Sequence, residues 1–366
     1  MSGWLYPRFS PVIKVVSAGC NIRCSYCFYS GRQPEIRIMD EPTLREVVNK
    51  CLAVAPNVRF IWHGGEPMIP GVGYYENILS ICEEFRRSNQ KISHSIQTNG
   101  TLINQSWIQF LSKNKFGVGV SIDGPAHIHN FARIDSAGQG TFERVMRGIN
   151  LLRENELKFG TVAVVNSYSV NYPDEIFDFF YNEGISFNAN PCTANPYDDE
   201  EMKTLAINPF DYTKFIVHLA NRWLETDNPH FRVGPIDDII KGVMGHQPRL
   251  CRFRGQCFLY VTIDSNGDVY PCDAFLNKDY LFGNLWSSEM TEIQAIQQSG
   301  YYSGRAEVEE ACRVCEWYQV CKSGCMRTWE GNKNIENPNG MDFCEARKLL
   351  FSQIHARIAP IGNVQS

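Results

Sequence analysis

The chain has 366 residues, a net charge of −5 and an apolar content of 43%, enough for an ordinary core and about the length of two domains. No basic run predicts a nucleic-acid or anionic-membrane partner, and no apolar stretch reaches the roughly 18 residues that cross a bilayer. The opening residues MSGWLYPRFSPVIKVV lack a charged start, an apolar core and a small-residue cleavage site, so a cytoplasmic protein is expected; in that reducing setting 14 cysteines point to metal or redox chemistry rather than disulfides.

In chain order, short β-rich runs at 12–17, 58–62, 92–97, 116–122, 159–165 and 185–190 alternate with helical periods at 41–54, 74–87, 105–114, 141–154 and 174–182. Six such units predict a parallel α/β sheet, either an open partial barrel or a flat doubly wound sheet. The unusual residues fall just after strands: Cys20 to Cys27, His63-Gly64-Gly65-Glu66-Pro67, Thr98-Asn99-Gly100 and Ser121-Ile122-Asp123-Gly124-Pro125. Parallel α/β folds build active sites along that edge, so these loops are expected at one mouth. After a helix at 212–224, residues 225–235 carry two prolines and read as a linker or crossover. Runs at 258–263 and 268–270 then flank a hairpin turn at Ser265-Asn266-Gly267. Beyond it cysteines are dense and apolar periodicity is weak, a segment that metal clusters can staple.

Eleven cysteines form three groups. Cys20, Cys24 and Cys27, spaced C-x3-C-x2-C, supply three thiolates. A four-iron cluster bound this way keeps one iron open for chemistry. Cys251, Cys257, Cys272, Cys312, Cys315, Cys321, Cys325 and Cys344 make two sets of four. Spacing alone does not apportion the eight, and four-cysteine zinc sites suit C-x2-C spacing as well. Cys51 and Cys82 lie in helical periods and read as small core residues. Cys192, after the sixth strand, reads as structural.

Cys20-Asn-Ile-Arg-Cys24-Ser-Tyr26-Cys27, just after the first strand, resembles the radical S-adenosyl-L-methionine (SAM) superfamily. The resemblance implies a partial (β/α)6 TIM-like barrel at 1–234. In such barrels Tyr26 would lie against the adenine, Gly64-Gly65-Glu66-Pro67 would hold the methionyl amino group, and Ser121, Asp123 and Arg133 would lie near the ribose and carboxylate. Cys257-x9-Gly267-x4-Cys272, then Cys312-x2-Cys315-x5-Cys321-x3-Cys325, then Cys344, resemble the SPASM extension of one radical SAM branch. That implies a small cysteine-rich α+β SPASM domain at 235–366. Cys251, Cys257, Cys272 and Cys325 would hold one auxiliary cluster, and Cys312, Cys315, Cys321 and Cys344 the other. The implied cofactors are three [4Fe–4S] clusters and SAM. The open iron chelates SAM, a low-potential electron breaks a C–S bond, and the 5′-deoxyadenosyl radical abstracts hydrogen from unactivated carbon.

Cys24-Ser-Tyr-Cys27-Phe28-Tyr29, the run Gln97 to Ile103, and Asp123-Gly124-Pro125 are similar to anaerobic sulfatase-maturating enzymes, which oxidise a Cys or Ser of a sulfatase to formylglycine. Carried over, Asp273, directly after Cys272, deprotonates the substrate and Tyr29 faces it. Those enzymes carry Gln before Gly-Gly-Glu-Pro. Here Trp62-His63 stands there, which looks more like enzymes that modify ribosomally made peptides, often by joining side chains at a β-carbon. His63 would then contact substrate or act as a second acid or base. The leading expectation is an oxidoreductase of ribosomal-peptide maturation that makes a side-chain crosslink or another β-carbon change. The alternative is sulfatase maturation; outside catalysis, it is a metal-stapled partner protein. The expected partners are a peptide or protein substrate and an external flavodoxin- or ferredoxin-like one-electron reductant.

Overall fold

The computed structural model describes residues 4–27, 29, 36–194, 198, 200–299, 301–331 and 341–362; Phe28 lies outside them. The strands are β1 (Val12–Ile13), β2 (Arg23–Cys24), β3 (Asn57–Trp62), β4 (Lys91–Thr98), β5 (Gly117–Ser121), β6 (Arg133–Ile134), β7 (Phe159–Val165), β8 (Phe187–Pro191), β9 (Val233–Gly234), β10 (Thr262–Ile263), β11 (Asp268–Tyr270) and β12 (Gly283–Asn284). Ten of them form one sheet in the order β12-β11-β10-β1-β3-β4-β5-β7-β8-β9, while β2 and β6 pair as a separate ribbon.

The local sequence explains the elements. In β3 alternate residues Val58, Phe60 and Trp62 are buried, as a strand covered on one face requires. The helix Glu41–Ala53 starts where the Asp40 side chain accepts from the Thr43 amide at 2.9 Å, with Pro42 in its first turn. It buries Leu44, Val47, Val48 and Cys51 at helical spacing. Asn104 and Asn208 cap the helices Gln105–Lys113 and Pro209–Glu225 in the same way. Cys51 and Cys82 lie in this core, as expected.

Strand order decides between the two sheets left open above. The strands β1, β3, β4, β5, β7 and β8 are parallel and follow one another without a reversal. A doubly wound sheet needs a switch point, whereas steady right-handed progression curves the sheet into a partial barrel. β9 extends the barrel in parallel at one edge, inside the stretch expected to be a linker. At the other edge β10 lies parallel to β1, and the antiparallel β11 and β12 follow. The hairpin of the cysteine-rich segment therefore continues the barrel sheet. Its first half differs from expectation, because Cys257–Leu259 forms a 3-10 turn before β10. The helix Met341–Gly362 returns to pack on Pro209–Glu225, where Thr213 Oγ1 donates to the Ala346 carbonyl at 2.9 Å. No helix among the described residues is long and apolar enough to cross a membrane.

Candidate active site

The cysteine loop leaves β1 and carries β2, whose Cys24 stands opposite Arg133 of β6. That register sets Arg133 Nη1 3.8 Å from Cys24 Sγ. Arg133 is buried, and Asp123 meets its charge: Nε and Nη2 donate to the two carboxylate oxygens at 3.0 and 3.2 Å. Asp123 also accepts from the Tyr26 hydroxyl and from the Val164 amide. The carboxylate is thus engaged by protein donors and fixes both Arg133 and Tyr26 beside the cysteines. Behind it, His129 Nδ1 accepts from the Asp123 amide at 3.4 Å. Burial pushes the His129 pKa down to about 3, so it serves as a neutral prop. Ser121, at the end of β5, accepts from Gln97 Nε2 at 3.1 Å.

The turn after β3 lies directly on the cysteine loop. Glu66 N–H donates to the Gly19 carbonyl at 2.8 Å. Gly65 has φ +55°, and a Cβ there would lie 2.0 Å from that carbonyl oxygen. Gly64, at φ +107°, packs on the aliphatic stem of Lys14. The Glu66 side chain is fully buried and accepts from Met68 N, Asn99 N and Thr98 Oγ1 at 2.9, 2.7 and 2.8 Å. Burial nonetheless raises its pKa to about 7, against those hydrogen bonds. Glu66 therefore ties the ends of β3 and β4 together and leaves the turn backbone to face the mouth. Asn99 reaches further, its Nδ2 lying 3.6 Å from Cys20 Sγ.

The eight later cysteines sort into two neighbourhoods. Cys251 feels the charges of Cys325 and Cys257, and Cys272 that of Cys325. Cys344 feels those of Cys312, Cys321 and Cys315. Cys321 and Cys325 are close in sequence yet belong to different groups. Between them Lys322, Ser323 and Gly324 all take left-handed φ values of 48°, 64° and 69°, which turns the chain sharply.

Three candidates from distant elements meet at the mouth. His63, at the end of β3, brings Nε2 to 3.4 Å from Asp273 Oδ2. Asp273 Oδ1 lies 3.0 Å from Cys272 Sγ. Tyr29 is buried against Tyr270, Leu276 and Cys27, within reach of the Asp273 charge. Burial works to raise the Asp273 pKa, but His63, Cys272 and Arg327 together outweigh it and hold the carboxyl well below the usual range.

Sequence reasoning missed several neighbours. Lys14 is 1% exposed, with Nζ 4.2 Å from the Tyr29 ring centroid and 4.0 Å from Asp264 Oδ1. Its signal was a lone charge inside an apolar first strand. Arg327 adds positive charge near Cys27, Tyr29 and Asp273. Cys192 is buried beside Cys24, Tyr26 and Ala132, in contact with the cysteine-loop cluster.

Residues 15–180 match the family model of the radical SAM superfamily, and residues 251–316 match SPASM, an iron-sulfur cluster-binding domain. A cysteine-type anaerobic sulfatase-maturating enzyme of Clostridium perfringens (strain 13 / Type A) is 30% identical over 98% of this chain and 99% of its own. The chain belongs to the radical SAM/SPASM family. A serine-type anaerobic sulfatase-maturating enzyme of Bacteroides thetaiotaomicron is 27% identical over 94% of this chain and 88% of its own. The solved structure of native anSMEcpe with bound AdoMet and Cp18Cys peptide superimposes with a TM-score of 0.86 at 29% identity, covering 98% of this chain and 100% of that one.

This radical SAM/SPASM enzyme uses SAM and [4Fe–4S] clusters as cofactors, which overturns the non-catalytic alternative. The donor sets fit those groups. Burial pushes the Cys20 and Cys24 thiols up to about 11 and about 12, with the neighbouring thiols adding to the effect. Thiolates gathered there need a cationic partner, and iron supplies it. The glycine turn exposes backbone rather than side chain beside that loop, as close approach of a small polar ligand requires.

Proposed function

We propose that this enzyme oxidises the β-carbon of a Cys or Ser side chain, within a peptide or protein, to the aldehyde of formylglycine. The reading is carried by the end-to-end similarity to cysteine-type anaerobic sulfatase-maturating enzymes. It replaces side-chain crosslinking as the first hypothesis.

When bound, the cofactors supply a 5′-deoxyadenosyl radical that removes one hydrogen atom from the β-carbon, and a sink for one electron. The chain's residues do the rest. Tyr26 and Arg133, fixed by Asp123, hold the SAM side of the mouth, together with Ser121 and the Gly64-Gly65 turn. Tyr29 walls the substrate side. Asp273, kept ionised by His63, Cys272 and Arg327, accepts the thiol or hydroxyl proton of the substrate. His63 Nε2, 3.4 Å from Asp273 Oδ2, steadies the carboxylate. Loss of a hydrogen atom, a proton and an electron is a two-electron oxidation. Ser then becomes the aldehyde directly; Cys becomes a thioaldehyde, which water converts to the aldehyde with release of hydrogen sulfide. A flavodoxin- or ferredoxin-like protein would supply the single electrons for SAM cleavage. We further propose 1–234 as the barrel unit and 235–366 as the SPASM unit of this machinery.

The test is anaerobic incubation of the reduced enzyme and SAM with Cys- and Ser-containing sulfatase peptides, followed by mass spectrometry and aldehyde trapping. One observation favours a second reading. The His63–Asp273 pair sets an imidazole where the sulfatase-type pattern has Gln, and that supports β-carbon modification of a ribosomally made peptide. Such a peptide losing two hydrogens without an aldehyde would select it.

A further inference from the structure

We infer that Arg347 is the counter-charge of the cluster held by Cys312, Cys315, Cys321 and Cys344, and that it raises that cluster's reduction potential. Arg347 and Cys344 are three residues apart on the helix Met341–Gly362, so they share a face. Arg347 Nε donates to Cys321 Sγ at 3.3 Å. Arg347 is 9% exposed, and its guanidinium lies 4.8, 5.2 and 5.0 Å from the ring centroids of Phe253, Phe343 and Phe351. Arg133 has Asp123 as its carboxylate partner; Arg347 has none among the described residues, and its Nη2 meets no hydrogen-bond partner there.

A cation buried in an apolar cage needs an anion, and the anionic group Arg347 touches is a cluster thiolate. Reduction adds one electron and one negative charge to the cluster. A buried guanidinium at hydrogen-bond distance would favour that reduced state. Lys348, exposed, adds a second positive charge near Cys344. In the other auxiliary set Cys272 Sγ faces the Asp273 carboxylate, whose charge His63 and Arg327 partly offset. Arg252, near Cys251, is committed to Asn190 Oδ1 and the Ala189 carbonyl. With both clusters bound, the asymmetry would make the Cys321 set the better acceptor for the one electron that substrate oxidation releases. No proton moves, and the electron then leaves to an external flavodoxin- or ferredoxin-like carrier. The inference is independent of which side chain is the substrate.

The test is EPR-monitored redox titration of the full-length, anaerobically reconstituted enzyme, with the SAM cluster identified by its response to SAM. Arg347→Gln removes the charge while keeping N–H donors, and Arg347→Lys keeps the charge. The expected result is that R347Q moves one auxiliary midpoint to more negative potential and leaves the other in place, at full iron and sulfide content, while R347K shifts it much less. Unchanged midpoints in R347Q, or an equal shift in R347K, would overturn the role of charge. Loss of iron from R347Q would overturn it too, because Arg347 would then hold the cluster in place rather than tune it.

Discussion

His63 Nε2 lies 3.4 Å from Asp273 Oδ2, joining the end of β3 to the residue that follows a cluster cysteine. The contact bridges the barrel mouth and the cysteine-rich segment, where the proposed reaction would release a substrate proton. Asp273→Asn should spare SAM cleavage and lower product formation by roughly 100-fold or more, the scale of a lost proton acceptor. Parallel assays of 5′-deoxyadenosine and modified peptide check this; equal loss of both would argue against a role at the substrate.

His63→Gln should change the pH dependence. The His63 contact is the largest of the influences that lower the Asp273 pKa against burial, ahead of Cys272 and Arg327. Without that contact the carboxyl titrates at higher pH, so the acid limb of product formation should move up. An unmoved limb would separate the two residues functionally.

Cys24→Ala should abolish SAM cleavage if, as proposed, Cys24 is a ligand of the reactive cluster. Arg133→Leu should instead act through stability. It strands the Asp123 carboxylate, which is 1% exposed, and breaking a buried pair this way costs about 3–5 kcal/mol. Anaerobic thermal unfolding should report the loss, and adding Asp123→Asn should recover part of it.

Gly65→Ala should disrupt SAM binding, since the new methyl would lie 2.0 Å from the Gly19 carbonyl oxygen at a left-handed φ. Gly160→Ala, in β7 with nothing within 4 Å of its Cβ, is the control and should bind SAM normally. Equilibrium SAM binding distinguishes the two.

Acid stability should depend on His94, on β4 beside β3. Trp62 Nε1 donates to its Nδ1 at 3.3 Å, and burial pushes its pKa from 6.5 down to about 4. A depressed folded pKa means the stabilisation is present above pH 6.5 and is lost as pH falls toward about 4. His94→Gln should flatten that part of the unfolding profile.

Much of the barrel was legible because its strands and helices carry clear periodicity. The cysteine groups were legible because ligands must be cysteines at close spacing. β9 was hidden, since two residues near a proline carry no pattern. The union of β10 with β1 was hidden as well, because strand pairing across the chain leaves no local trace. Asp123 and Glu66 were found as motif positions. Their role as anchors emerged only from three-dimensional hydrogen bonding, which residue type does not encode. Lys14 and Arg347 were missed because a buried charge cannot be told from an exposed one until its partner is known.

The most direct measurement is mass spectrometry of a Cys-containing sulfatase peptide after anaerobic turnover with the reduced enzyme and SAM, with carbonyl trapping of the product. Formylglycine at the cysteine, with hydrogen sulfide released and one 5′-deoxyadenosine formed per product, is the expected result. A product that has lost two hydrogens, keeps its sulfur and forms no carbonyl adduct would contradict formylglycine formation.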